Sequence, residues 1–321
     1  MKIFITGGAG FIGSHICEKL YESIPKSKLL ILDKLTYAAN KSFLSKILID
    51  KKRVKFLQAD IINSNKYTKL IKNFDLAINV AAESHVDRSF TNSTLFTKTN
   101  TFGAHIFFQS CLNAKVKKII HVSTDEVYGE KLSGSFKENN KLNPTNPYSA
   151  SKAAAEIIIN SYKYHLKSNI LIVRGNNIFG NRQYPEKLIP SCIYNVLKNK
   201  PIKLHGNGKN IRCYLSVYDF ADAIYLLIKK NKIGTYNIGN NKYFKNIEIA
   251  KLICKALNVN PRKFIKFVKD RPFNDKRYSI NISKIKSIGW KPKRDLRNEI
   301  ENIISWYSKN YKIFKLKISN L

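Results

Sequence analysis

Two acidic residues stand side by side in the run His121-Val122-Ser123-Thr124-Asp125-Glu126-Val127-Tyr128-Gly129, and Tyr148-Ser149-Ala150-Ser151-Lys152 follows downstream. Tyr148 and Lys152 are four apart, so on a helix they share one face. An ammonium group near the phenol, with a nicotinamide charge beside it, is expected to lower the tyrosine pKa from about 10 towards working pH. Tyr148 would then serve as base for an alcohol hydroxyl while hydride leaves its carbon. Asp125 and Glu126 add an acid and a base that can remove water from the oxidised intermediate. Two carboxyls held close in a cleft cannot both ionise easily, so one should keep a proton near neutrality. An isolated acidic pair is ordinarily a solvated turn capping the next helix. The position directly after Thr124 and upstream of Tyr148 favours catalysis instead.

A Tyr-x-x-x-Lys pair arises often by chance and gains meaning only beside a dinucleotide site. Residues 1–13 supply one: a strand, a glycine turn (Gly7, Gly8, Gly10, Gly13) and a helix start at Phe11-Ile12. The glycines permit a tight turn and let backbone N–H groups approach a pyrophosphate at the helix N-terminus. Asp33 closes the next apolar run. A carboxylate there accepts from an adenosine ribose and repels a 2′-phosphate, so NAD⁺ is favoured over its phosphorylated form, a preference that Lys34 tempers. Asp60-Ile61 ends a third run, where an adenine edge can be read. Ala81-Ala82-Glu83-Ser84-His85 ends a fourth, beside the expected nicotinamide ribose, and His85 reads there as a supporting or core histidine rather than a catalytic one.

The elements that must position these residues alternate as apolar runs and helical stretches, the pattern of a parallel sheet. Residues 2–6, 29–33, 54–59, 76–80, 118–123 and 170–174 read as strands. Several are apolar throughout, as expected when both sheet faces are covered. Residues 11–21, 66–72, 94–113 and 148–166 read as helices, and 234–239 as a late strand returning to the same sheet. The expected fold is α/β: a Rossmann-type doubly wound parallel sheet with a smaller C-terminal substrate-binding cap. The dinucleotide-binding domain is expected at 1–174 plus about 214–240, and the cap at about 175–213 and 241–321.

The chain has 321 residues and is 44% hydrophobic, enough for a sizeable core. Its net charge of +35 could signal nucleic acid. Lysine, however, greatly outnumbers arginine and is spread along the whole chain, so no nucleic-acid partner is expected. The field would still draw in a doubly charged sugar nucleotide. The five cysteines are odd in number and scattered, which argues against disulfides or a metal site and suits a reducing cytosol. A strand starting at Lys2 leaves no room for a signal peptide, and no apolar run approaches a membrane span, so a cytoplasmic protein with no membrane partner is expected.

With these motifs in view, the chain resembles the nucleoside-diphosphate-glucose 4,6-dehydratases of the extended short-chain dehydrogenase/reductase superfamily. The resemblance runs nearly end to end: through residues 7–13, 33–38, 81–88, 123–129, 148–152, 183–190 and 270–278, with Thr124-Asp125-Glu126-Val127-Tyr128-Gly129 the most specific. It implies a closed hydride cycle on NAD⁺. Tyr148, aided by Lys152, takes the proton from the glucose 4-hydroxyl as the C4 hydride leaves. Thr124 holds the 4-keto group, Glu126 removes the acidified C5 proton, and Asp125 protonates the departing 6-hydroxyl. Hydride returns to C6, giving a 4-keto-6-deoxy sugar of the kind used in deoxysugar or rhamnose synthesis, with the coenzyme regenerated and expected to stay bound.

By the same resemblance Thr36, Ala81, Ala82, Ser84, Thr99 and Asn176 join the cofactor site. Ser84, Asn177, Glu186, Lys187, Leu188 and Lys203 are expected around the nucleotide sugar, as are Arg212, Asn246, Arg271, Asn274 and Tyr278. Arg212 and Arg271 make sense as forks on phosphate oxygens. Deoxythymidine-nucleotide enzymes of bacteria commonly carry Gly-His where this chain has Phe273-Asn274. Residues 174–177 and 271–275 are closer to enzymes of UDP-rhamnose synthesis, so dTDP-glucose and UDP-glucose both stay open as substrates. A 4-epimerase needs no Asp–Glu pair, a glucuronate decarboxylase needs no acid to expel water, and a catalytically dead binder would have lost Tyr148, Lys152 or the pair. A homodimer is implied, paired through helices 94–113 and 148–166, with Ala153, Ala154, Ile157 and Ile158 as an apolar stripe.

Overall fold

The structure, a computed structural model, describes residues 1–166, 169–270 and 273–314. Seven parallel strands form the central sheet: β1 (Lys2–Thr6), β2 (Lys28–Asp33), β3 (Val54–Gln58), β4 (Leu76–Asn79), β5 (Ile119–Thr124), β6 (Ile170–Gly175) and, after three strands elsewhere, β10 (Gly234–Ile238). Their spatial order is β10-β6-β5-β4-β1-β2-β3. The order reverses between β1 and β4, and ligands of open α/β sheets bind outside the carboxyl ends of the strands at such a point.

Side-chain alternation explains why both faces are apolar. Ile3 and Ile5, Leu29 and Ile31, Leu171 and Val173 face one core, which the helices Phe11–Ser23 and Val217–Lys229 close with Ile16, Leu20, Phe220 and Ile224. Phe4, Leu30, Leu32, Ile170 and Ile172 face the other, against Tyr67, Phe107, Phe108 and Ile159. Residues 176–216 and 243–268 form two small sheets, β11 (Tyr243–Lys245), β9 (Ile211–Ser216) and β7 (Asn177–Phe179) in that order, and β12 (Ile265–Val268) beside β8 (Ile202–His205). They share a third core with the helices Leu188–Leu197, Asn246–Ala256 and Leu296–Asn310.

Two expected helices differ. Residues 66–72 form a short 3-10 turn, Ser64–Lys66, followed by further turns rather than a helix. Asn63, Ser64 and Asn65 favour turns through local side-chain bonding. Tyr67 and Ile71 still reach the core at the four-residue spacing that suggested a helix. Residues 94–113 are not one α-helix but Ser93–Phe96, a π-helical stretch Thr97–Gly103, and Ala104–Asn113. The wider turn sets Asn100 facing inward, where its side chain bonds the Glu83 N–H (2.8 Å), the Glu83 carbonyl (2.9 Å) and the Ser151 hydroxyl (2.9 Å). It thereby ties the end of β4 to the helix that carries Tyr148, and π-bulges commonly occur at functional sites. No helix among the described residues is long and apolar enough to cross a membrane.

Behind β5 and β6, Glu156 and Arg174 form a fully buried ion pair (2.6 Å), with Arg174 also stacked on the Tyr128 ring. Removing one partner leaves an uncompensated buried charge. Glu156→Ala should therefore lower unfolding stability in urea by about 3–5 kcal/mol; a loss below about 1 kcal/mol would show that the pair is dispensable.

Candidate active site

One cavity of about 1330 Å³ runs along the carboxyl edge of the central sheet and into the small sheets. Single small-molecule pockets are about 300–1,000 Å³, so this one has room for two ligands end to end. It is lined by every residue selected from sequence as catalytic, cofactor-binding or substrate-binding, except two. Arg271 lies outside the described residues. Asp125 is buried just behind the wall.

At one end lies the glycine turn. Gly7 has φ +67°, and a Cβ there would sit 2.6 Å from the Ala81 backbone; a Cβ on Gly13 would sit 2.0 Å from the Gly7 carbonyl oxygen. The helix Phe11–Ser23 starts from Gly10 with no side-chain cap and no acidic residue in its first turn. Its first N–H groups, at Phe11, Ile12 and Gly13 on the cavity wall, therefore suit a pyrophosphate. Asp33 at the end of β2 is buried, which raises its pKa, and it accepts from Ala9 N–H (2.9 Å) and Leu35 N–H (2.8 Å). A carboxylate has about four lone-pair sites, so acceptor capacity is left for a ribose. Lys34 pairs with Asp60 (2.7 Å), which ties up the charge that would otherwise favour a 2′-phosphate. His85 lies on the wall with its Nε2 3.8 Å from Asp87.

The chemistry-bearing residues cluster where β5 ends. Thr124 is its last residue and caps the 3-10 turn Asp125–Tyr128, its Oγ1 accepting from Glu126 N–H (3.3 Å). The same hydroxyl lies 3.4 Å from Asp125 Oδ1, and Asn176 Nδ2 donates to Asp125 Oδ2 (2.7 Å). Burial first, then the neighbouring Glu126, pushes Asp125 up to about 7, against the Asn176 bond and the Arg212 charge. Burial also raises Glu126, against Lys187, Arg212 and a 3.4 Å bond from Asn146 Nδ2. The pair is thus arranged with one carboxyl retaining a proton near neutrality.

Tyr148 and Lys152 lie on the helix Pro147–Leu166. Its start is set by Asn146, whose Oδ1 accepts from Ser149 N–H (2.9 Å), with proline at the first helical position. Without a nicotinamide charge beside it, the phenol is not lowered, and Lys152 does not lower it either. Burial, then Glu126 and Asp125, hold the phenol well above its ordinary value, and only the Thr124 hydroxyl works the other way. Lys152 is itself buried, which lowers it to about 8, and it donates to the Val122 carbonyl (2.7 Å). The protein alone therefore keeps Tyr148 neutral.

The far end of the cavity belongs to the small sheets. Arg212 on β9 is buried, donates to the Ile211 carbonyl (2.9 Å) and Asn274 Oδ1 (3.3 Å), and lies over the Tyr278 ring (4.5 Å). Its charge acts on both carboxyls, which is a broader role than a phosphate fork. The Tyr278 hydroxyl donates to buried Asp275, as does Thr145 (2.7 Å), so it is already engaged. Glu186 accepts from the Tyr37 hydroxyl (2.9 Å), and Lys187 donates to the Ser84 carbonyl. Asn177, Leu188, Lys203 and Asn246 line the same stretch.

Sequence reading missed Asn146, Asn100, Tyr37 and Asp275. Asn146-Pro147 is a legible helix start that could have flagged the first; the others depend on contacts between distant segments. In the proposed dimer stripe, Ala153 is buried in the sheet core, while Ile157 is 63% exposed.

This fold and site define a Rossmann-type protein of the short-chain dehydrogenase/reductase class, equipped with an added acid pair. The chain belongs to the GDP-mannose 4,6 dehydratase family, whose profile matches residues 4–303. It is 39% identical over 356 residues to a dTDP-D-glucose 4,6-dehydratase of Dictyostelium discoideum, covering 96% of this chain and 82% of that one. It is 38% identical over 316 residues to a trifunctional UDP-glucose 4,6-dehydratase/UDP-4-keto-6-deoxy-D-glucose 3,5-epimerase/UDP-4-keto-L-rhamnose-reductase of Arabidopsis thaliana. That match covers 96% of this chain but only 47%, about half, of the plant protein. Among solved structures it resembles the dTDP-glucose 4,6-dehydratase DesIV of Streptomyces venezuelae, crystallised with NAD bound, at TM-score 0.94 and 34% identity, covering 98% and 99% of the two chains.

Because the Asn176 bond stabilises the ionised form of Asp125, Asn176→Ala should move the Asp125 titration to higher pH. Carbon NMR of the labelled carboxyl measures this, and a downward shift would show that the bond does not act on the charge.

Proposed function

We propose that the protein is a nucleoside-diphosphate-glucose 4,6-dehydratase, converting dTDP-glucose to dTDP-4-keto-6-deoxyglucose and water, with UDP-glucose as the alternative substrate. The observation that carries this reading is the buried Asp125–Glu126 pair between Thr124 and Tyr148, one carboxyl pushed up to about 7. An enzyme that only moves hydride has no use for a second acid and base there.

Gly7, Gly10, Gly13 and the N–H groups of Phe11 and Ile12 hold the pyrophosphate of NAD⁺, and Asp33 its adenosine ribose, with Thr36, Asp60, Ile61 and Thr99 along the wall. Bound NAD⁺ supplies the hydride acceptor and a positive charge, which the protein alone does not place beside Tyr148. Tyr148 then takes the proton of the 4-hydroxyl through the Thr124 side. Thr124 donates to the 4-keto oxygen, which acidifies C5–H. Glu126 removes that proton, its carboxylate held by Asn146 and drawn towards ionisation by Lys187 and Arg212. Asp125, still protonated, gives its proton to the departing 6-hydroxyl; C6 then recovers the hydride as Glu126 returns its proton to C5, giving the 4-keto-6-deoxy sugar and water, and the proton held by Tyr148 restores Asp125 by way of solvent. Asn177, Glu186, Lys187, Lys203, Arg212, Asn246 and Asn274 hold the nucleotide diphosphate in the half formed by residues 175–213 and 241–321. Two copies pair through the helix Pro147–Leu166 and the stretch before it, where Ile157 (63% exposed) and Phe102 (51%) stand out.

The direct test is incubation with dTDP-glucose and UDP-glucose separately, with product mass and bound coenzyme measured; loss of water from neither would overturn the reading. Glu126→Gln should slow dehydration by about 10²–10⁴-fold yet leave reduced coenzyme visible by absorbance; full product formation would remove Glu126 as base. As an acid, Asp125 must be protonated, so kcat/KM should fall as pH rises through about 7, where its carboxyl ionises. Asp125→Asn should lose this falling limb as well as rate, and an unchanged limb would assign it to another group.

A further inference from the structure

We propose that Tyr37 is a strap that retains the dinucleotide between turnovers, an inference that rests on the dehydratase reading above. Tyr37 lies on the loop that follows Asp33. That loop is fixed to the glycine turn by the bond from Asn40 N–H to the Ala9 carbonyl (2.9 Å). Its neighbours Thr36, Ala38 and Ala39 line the cavity, whereas Tyr37 itself does not and is 40% exposed. The side chain therefore turns outward over the rim and crosses to the segment 182–187.

The crossing has three supports. The Tyr37 hydroxyl donates to both oxygens of Glu186, each at 2.9 Å. Its ring packs edge-on against Tyr184 (5.0 Å between centroids) and lies under the Arg88 guanidinium (4.1 Å), which pairs with Glu83 at 3.6 Å. The far side is anchored too. Arg182 pairs with Glu18 (2.8 Å) and donates to the Ser14 hydroxyl (3.2 Å), both on the helix that opens the dinucleotide site.

Three segments that converge on the dinucleotide end are thus joined across its rim by one phenol. In the proposed strap, a ligand held against the glycine turn leaves on that side only when the Tyr37–Glu186 bond opens. A closed hydride cycle regenerates its coenzyme in place, so exchange with solvent serves no step, and a contact that slows release is consistent with that chemistry.

The test uses the full chain loaded with NAD⁺ and chased with its fluorescent etheno derivative, so that release is read without turnover. Tyr37→Phe keeps the ring on Arg88 and Tyr184 and removes only the donor to a charged acceptor. Release should become about tenfold faster, in line with the strength of such a bond. Release at the wild-type rate would overturn the strap while leaving the dehydratase reading intact. A fall in the melting temperature of the coenzyme-free variant large enough to account for the faster release would also overturn it. A wild-type protein that takes up no NAD⁺ would remove the functional reading, and the strap with it.

Discussion

Two adjacent carboxyl groups can leave water only if surrounding dipoles and charges take over the role of solvent. Much of this molecule answers that requirement at Asp125 and Glu126. The donors arrive from widely separated segments: Thr124 from the end of β5, Asn176 just beyond β6, Asn146 from the start of a helix, Arg212 from β9 and Lys187 from the loop before another helix. None can be placed by local structure alone. The central sheet sets the first two, and the small sheets exist at its carboxyl edge in a position to deliver the cations. Arg212 is held before any ligand binds, by the Ile211 carbonyl, Asn274 and the Tyr278 ring, so its field is fixed rather than induced.

The same environment separates the two acids. Asp125 is buried at 3% exposure, with Asn176 on one oxygen and the Thr124 hydroxyl near the other, whereas Glu126 lines the cavity and feels Lys187 and Arg212. Burial raises both, but each carboxyl has different neighbours to offset it, so two adjacent carboxyls hold their protons unequally. Tyr148 meets the opposite difficulty. Two carboxyls and a low-dielectric wall hold its proton in place, with only the Thr124 hydroxyl working the other way.

The sheet was legible because alternation in a strand is strict: Ile3, Phe4 and Ile5 assign themselves to opposite cores by parity alone. The glycine turn and the acid pair were legible because their chemistry demands particular residue types at fixed spacing. The helix at 66–72 was misread because Tyr67 and Ile71 satisfy helical spacing within a chain of turns. The break in the long helix was missed because a π-helical stretch leaves no compositional mark; its cause is Asn100 reaching Glu83 and Ser151, far along the chain. Asp275, Tyr37 and the true surroundings of Arg212 were invisible for the same reason, being defined by segments that meet only after folding.

This division has a consequence for what the site can vary. Residues that name the reaction lie on the ends of β5 and β6 and on the buried face of one helix, where neighbours on both sheet faces fix them. Phe273 (49% exposed) and Asn274, by contrast, stand on the connection between β12 and the following segment. A substitution there alters a loop side chain; a change at Asp125 leaves Asn176 without its carboxylate acceptor and Arg212 with Glu126 alone. The geometry of the carboxyl pair is therefore what this architecture holds rigid, and the Phe273–Asn274 connection is what it leaves adjustable.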